Sequence, residues 1–244
     1  MERASILASE DYLMKIIIDP GHGGVWRPTP PRGDPGVVTP DGNKIESHYN
    51  WIYANTLRDI LVKAGFEVVM TREHDNHTVD NRERTRATEP GDIFISIHFD
   101  SYIGGRRMIY FAGLNNNLRD ESIRLAKALD TYLETKDLRA STSSRFGRLY
   151  IDDAKCPAVL VEVDRIDRAD GSMEARLDFA NNILSGIRDF LGVFEAPGGV
   201  IDEDEMPRFN TPFQRVFLIE NGQERQLDVD RMSVVGDKLY IALK

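Results

Sequence analysis

Residues 15–24 read Lys-Ile-Ile-Ile-Asp-Pro-Gly-His-Gly-Gly, and this stretch constrains the chain more than any other. Three β-branched residues, Ile16, Ile17 and Ile18, favour a short buried strand. Asp19, Pro20 and Gly21 end it, because proline offers no N–H to a ladder and glycine allows a sharp turn. His22 follows between glycines at the strand's carboxyl end, where open α/β sheets place their binding crevices. A histidine in a loop is ordinarily just solvated. Flanking glycines let backbone and ligand come close, so partners elsewhere in the chain decide what His22 does.

Those partners lie on later elements. Residues 46–64 carry Tyr49, Ile52, Tyr53, Thr56, Leu57, Ile60, Leu61 and Ala64 at three- and four-residue steps, the stripe of an amphipathic helix that Gly65 can cap. Glu46 falls in its first turn and, taken alone, reads as a carboxylate complementing the helix dipole. Residues 66–71 form the next strand. Residues 92–100, Asp-Ile-Phe-Ile-Ser-Ile-His-Phe-Asp, read as a strand covered on both faces. His98 sits at its carboxyl end, so a parallel sheet would bring it to the same rim as His22. Residues 157–163 are a third buried strand. Glu162, after four apolar residues, must be paired, coordinated or open to a cleft; a salt bridge to Arg165 or Arg168 is the plain alternative.

The remaining segments fill in the domain. Residues 25–43, with Pro28, Pro30 and Pro31, read as a rim loop. Residues 72–89 read as a polar loop leading into a short helix, and there His74 and His77 look exposed rather than ligating. Strands are expected at 106–112 and, briefly, at 149–151. Residues 118–133 form a second amphipathic helix, 136–147 another rim loop, and 173–191 the last helix. Strands alternating with helices give an α/β class with a mostly parallel, twisted sheet flanked by helices. Residues 1–14 form a leader and 15–193 the catalytic domain. Residues 194–211 form a Pro/Gly- and acid-rich linker, and 212–244 a small β-rich module with a hairpin turn at Asn221-Gly222. About thirty residues make a poor independent core, so this module is expected to pack on the main domain or on a copy of itself, as a homo-oligomer.

Composition excludes several function classes. The formal net charge of −9 disfavours general affinity for nucleic acid or anionic membrane. The single cysteine, Cys156, excludes an intrachain disulfide and a cysteine-rich zinc site; before Pro157 it reads as a small packed residue. No stretch reaches the roughly 18 apolar residues of a membrane helix. The first residues lack a basic region followed by a long apolar one, so the expectation is cytoplasmic synthesis without a secretory signal. A wall target would then be reached only after the membrane is permeabilised.

Two histidines and a carboxylate leave a fourth zinc position for water, the pattern of a hydrolytic site. A second carboxylate could take and return the proton. Composition alone does not say which glutamate plays which part. The sequence resembles the zinc-dependent N-acetylmuramoyl-L-alanine amidases of bacterial autolysins and phage endolysins. The resemblance is carried by residues 17–24, Asp34-Pro35-Gly36, 42–46 with Asn50, 65–72, 94–98 and 157–162, in order over about 15–191. It implies that His22, Glu46 and His98 bind Zn2+ and that Glu162 is the catalytic carboxylate. The implied substrate is the amide between N-acetylmuramic acid and L-alanine in peptidoglycan, and the implied setting a phage or prophage endolysin. Three departures stand out: Asp100 replaces the usual asparagine after the strand histidine, Val163-Asp-Arg-Ile-Asp-Arg168 replaces the usual Gly-Phe and small-polar stretch, and the loop from His22 to Asp34, with Trp26 and three prolines, is longer than expected. The competing readings are a zinc peptidase acting within the stem peptide and a non-catalytic wall-binding module.

Overall fold

The computed structural model describes residues 14–28, 31–101, 103–114, 116–144, 148–192, 216–220, 223–227, 229–235 and 238–243. Residues 1–13 of the leader, the linker at 194–211 and the Asn221-Gly222 turn lie outside the described residues. In chain order come β1 (Lys15–Pro20), β2 (Gly23–Pro28), β3 (Pro31–Asp34), α1 (Glu46–Lys63), β4 (Glu67–Met70), α2 (Asn81–Arg84), β5 (Ile93–Asp100) and β6 (Met108–Phe111). They are followed by α3 (Asn116–Leu133), β7 (Leu138–Ala140), β8 (Ala158–Arg165), α4 (Met173–Leu191), β9 (Val216–Glu220), β10 (Gln223–Leu227), β11 (Val229–Val235) and β12 (Lys238–Leu243).

Six strands form one sheet in the order β4-β1-β5-β8-β6-β7. β4, β1, β5 and β8 run parallel, whereas β6 pairs antiparallel with β8 and carries β7 parallel to itself. The apolar runs of β1, β5 and β8 are buried because helices and a covering segment close both faces. On one face Phe99 meets Tyr49 and Tyr53 of α1, and Tyr53 meets Phe179 of α4, all edge to face. On the other, Ile17, Phe94 and Leu160 pack with Ile151, Ala154 and Cys156. Cys156 is thus a buried packing residue, and burial pushes its thiol pKa up.

Helix α1 shows how the sequence positions the site. Its buried positions after the second turn are mainly apolar, including Tyr53, Ala54, Leu57 and Leu61, but its first turns bury Glu46, Ser47 and Asn50. The polar end of the stripe therefore marks where the helix meets something other than core.

Three expectations are corrected. Residues 25–43 are not all loop: β2 and β3 form an antiparallel hairpin, with Pro28 closing one strand and Pro31 opening the other. Prolines at strand ends cost no ladder bond. The expected strand at 149–151 is a 3-10 turn, Tyr150–Asp153. The polar segment 136–147 contains the short edge strand β7.

The chain divides into two compact units, one of them Met14–Ile187 and the other holding the C-terminal strands. Within the latter, β9 pairs with β10 and β11 with β12, each antiparallel. Among the described residues no helix is long and apolar enough to cross a membrane.

Candidate active site

β1 delivers the Asp19–Gly24 turn to the carboxyl rim of the sheet, and two buried arginines hold it there. Arg72 donates from Nε to Pro20 O at 2.9 Å and from Nη2 to Ser47 O at 2.8 Å. Arg84 donates from Nη1 to Asp19 Oδ1 at 2.7 Å and from Nη2 to His22 O at 2.8 Å. Burial opposes the Asp19 charge, but Arg84 and hydrogen bonds from Thr71, Tyr150 and Ser96 outweigh it and hold the pKa at about 2. His22 itself has φ +59°. That left-handed conformation costs a non-glycine residue roughly 1–2 kcal/mol, and the arginine clamps hold it in place. The ring faces Glu46 at the start of α1.

His22, Glu46 and His98 converge, with one donor atom from each lying within 4.8 Å of the others. His22 Nε2 is 3.1 Å and His98 Nδ1 2.9 Å from Glu46 Oε1. Each imidazole is held from behind: His22 Nδ1 lies 2.8 Å from Asp34 Oδ2, and His98 Nε2 lies 3.1 Å from the Tyr150 hydroxyl. Glu46 is oriented by Val37 N–H, which donates to Oε2 at 2.8 Å. Two glycines make the room. A Cβ on Gly21 would fall 2.1 Å from His98 Nε2, and one on Gly36 would fall 2.4 Å from Glu46 Oε2.

The electrostatics favour a cation at this point. Burial opposes charge on His22, yet the flanking Glu46 and Asp34 carboxylates lift its pKa to about 10. Burial likewise opposes charge on Glu46, and His22 and His98 hold it well below the usual carboxylate range. Burial depresses His98. Imidazole lone pairs aimed at a carboxylate oxygen repel it unless a proton or a metal engages both. Two nitrogens and one oxygen are also a donor set suited to zinc, leaving a position open. The residues present therefore fit a zinc ion.

Glu162 stands beside this group. In the β5–β8 ladder His98 pairs directly with Glu162, and paired residues of adjacent strands project to the same face of the sheet. Glu162 lines a cavity of about 260 Å³ with Asp100, Arg106, Tyr110, Arg139 and Leu160. The alternative partner Arg165 instead forks onto Asp167 at 3.0 and 2.6 Å. Asp100 caps the following loop, accepting from Ser101 N at 2.6 Å and Arg106 N at 3.0 Å. Two backbone N–H groups on one carboxyl group suit an aspartate, whose two oxygens both accept. The segment that follows β8 is tied to the segment before α1 by Lys44, whose Nζ donates to Asp167 O and Ala169 O at 2.9 and 2.7 Å.

Glu73, His74 and His77 also cluster, at the surface. There His77 Nδ1 accepts the Glu73 N–H at 3.3 Å, so that nitrogen is engaged within its own loop. Sequence reasoning missed Tyr150 and Arg84 as supports of the site; Tyr150 had read as strand and Arg84 as part of a polar loop. Their partners in the turn lie 62 or more residues away, so no local signal existed.

Fold and donors together define an α/β domain with three converging side chains that could hold a metal ion at the carboxyl rim of its parallel strands. The chain belongs to the N-acetylmuramoyl-L-alanine amidase family, whose profile matches residues 16–189. It is 31% identical over 158 residues to a probable cell wall amidase LytH of Staphylococcus epidermidis, covering 62% of this chain and 47% of that protein. The chain thus spans about half the length of the curated relatives it matches. The crystal structure of the apo N-acetylmuramyl-L-alanine amidase Ami1 of Mycobacterium abscessus shares the fold with a TM-score of 0.61. It is 22% identical, over 73% of this chain and 98% of that one. The catalytic domain of CwlV, an amidase of Bacillus (Paenibacillus) polymyxa, gives a TM-score of 0.57 at 21% identity, over 73% and 98% of the two chains.

Proposed function

We propose that the chain is a zinc-dependent hydrolase of the amide between the lactyl group of N-acetylmuramic acid and L-alanine in peptidoglycan. The observation that carries this reading is the convergence of His22, Glu46 and His98 at the carboxyl rim of the sheet, with Glu162 the ladder partner of His98. His22 through Nε2, His98 through Nδ1 and Glu46 through Oε1 would hold the metal. Zinc in such a site supplies a Lewis acid that polarises a carbonyl and brings the pKa of a water toward neutrality. Glu162 accepts the proton of the attacking water and returns it to the leaving nitrogen of L-alanine. Asp34 and Tyr150 keep the two imidazoles aimed, and the cavity walled by Arg106, Tyr110 and Arg139 receives substrate next to Glu162.

Dye release from labelled, purified cell walls tests the reading. Release should stop with a chelator and return with added zinc; release indifferent to chelation would remove the metal from the mechanism. We extend the proposal to lytic use of the activity, since the sequence resemblance includes phage endolysins. Purified protein added to bacteria with exposed walls should clear their turbidity. Stable turbidity alongside hydrolysis of isolated walls would assign the enzyme to remodelling instead.

A further inference from the structure

The metal ligand His98 is backed by Tyr150, a residue that lies outside every motif carrying the family resemblance. Tyr150 enters from the 3-10 turn that covers the Ile17–Phe94–Leu160 face of the sheet. Its hydroxyl stands 3.1 Å from His98 Nε2, 2.6 Å from Asp19 Oδ2 and 2.7 Å from Ser96 Oγ. Asp19 is fully buried; it pairs with Arg84 at 2.7 Å and accepts from Thr71 Oγ1 at 2.5 Å. The Arg84 guanidinium lies 5.7 Å from the centre of the Tyr150 ring. One hydroxyl thus joins a buried carboxylate to the rear nitrogen of a metal ligand.

Counting protons fixes the direction of these bonds. An Asp19 carboxylate bound to Arg84 only accepts. The phenol has one proton, and Asp19 Oδ2 at 2.6 Å takes it. Toward His98 the phenol oxygen then presents lone pairs, so His98 Nε2 must carry the proton of that bond. A neutral imidazole with its proton on Nε2 has its free lone pair on Nδ1, the nitrogen facing Glu46 and His22. Metal-bound histidines commonly donate their other N–H to a carboxylate, carbonyl or water, which sets tautomer and basicity. On His22 the Asp34 carboxylate does this directly; on His98 a carboxylate does it through a tyrosine.

We infer that Tyr150 is a positioning residue for the metal, its hydroxyl, anchored on Asp19, accepting the His98 Nε2 proton and so presenting Nδ1 to the ion. The inference rests on the zinc reading of His22, Glu46 and His98. The competing account makes Tyr150 a packing residue of the Ile17–Phe94–Leu160 cluster and nothing more. Tyr150→Phe separates them, because it keeps the ring and removes only the hydroxyl.

The decisive measurement is the zinc dissociation constant of wild type and Tyr150→Phe by competition with a chromophoric chelator, with melting temperatures in excess chelator alongside. The inference predicts roughly 10- to 100-fold weaker zinc binding in the variant. Equal affinity for both proteins overturns it while leaving the zinc site standing. A wild type that binds no zinc overturns the zinc reading and the inference together. Should Tyr150→Phe not fold, nitrogen-15 histidine spectra of the zinc-loaded wild type decide instead. His98 protonated on Nε2 and bound through Nδ1 supports the relay, and the reverse assignment contradicts it.

Discussion

Glu162 on β8 is the direct ladder partner of His98 on β5. Parallel pairing at this register puts a carboxylate and a metal-type imidazole side by side on one face of a rigid sheet. Neither depends on a loop for its position, and precise placement of a proton acceptor is what general-base catalysis needs.

Glu162→Gln should therefore retain bound zinc and lose hydrolysis by roughly 10²–10⁴-fold. Metal analysis and wall-release rates on one sample check both halves. Unchanged turnover would remove Glu162 from the reaction.

Truncating a ligand should act differently. His22→Ala or His98→Ala each leaves two of the three converging donors, and the zinc content of the purified protein should fall well below one per chain. A full complement in His98→Ala would exclude His98 from the ligand set.

Gly21→Ala tests the cradle. The added methyl would lie 2.1 Å from His98 Nε2, so the ring must shift or the turn must open. Weaker zinc binding with the fold retained, judged by circular dichroism, is the expected result; wild-type affinity would show that the rim relaxes freely.

The Asp19–Arg84 pair sets an acid-stability signature. The Asp19 pKa is lowered to about 2 in the folded protein, against an ordinary value near 3.9 in an unfolded chain. A depressed carboxylate pKa contributes stability that is present above about pH 4 and lost as pH falls toward 2, about 2–3 kcal/mol in all. Denaturant titrations between pH 5 and 2 should show wild type losing that much more stability than Asp19→Asn; equal slopes would contradict the buried pair. Arg84→Met strands the Asp19 charge and should cost about 3–5 kcal/mol at neutral pH.

Much of this architecture was legible in the sequence because it rests on local patterns. The apolar runs of β1, β5 and β8 and the stripes of α1 and α4 identify themselves by period, and the elements fall within a residue or two of the expected bounds. Prolines hid the β2–β3 hairpin, since they sit at its strand ends rather than inside a ladder. Glu46 could be read from the sequence as a dipole partner. In the structure it is buried, with Oε1 toward His22 and His98, so helix position alone did not reveal its surroundings. Tyr150 was beyond reach for a different reason: its bonds to Asp19, Ser96 and His98 span 131, 54 and 52 residues. Only the sheet order brings those segments together.

The central claim concerns which bond is cut. Mass spectrometry of soluble fragments from purified peptidoglycan, with and without a zinc chelator, tests it most directly. The account predicts free stem peptides beginning with L-alanine, abolished by chelation and restored by zinc. Fragments cut within the stem peptide, with the lactyl–alanine amide intact, would contradict it.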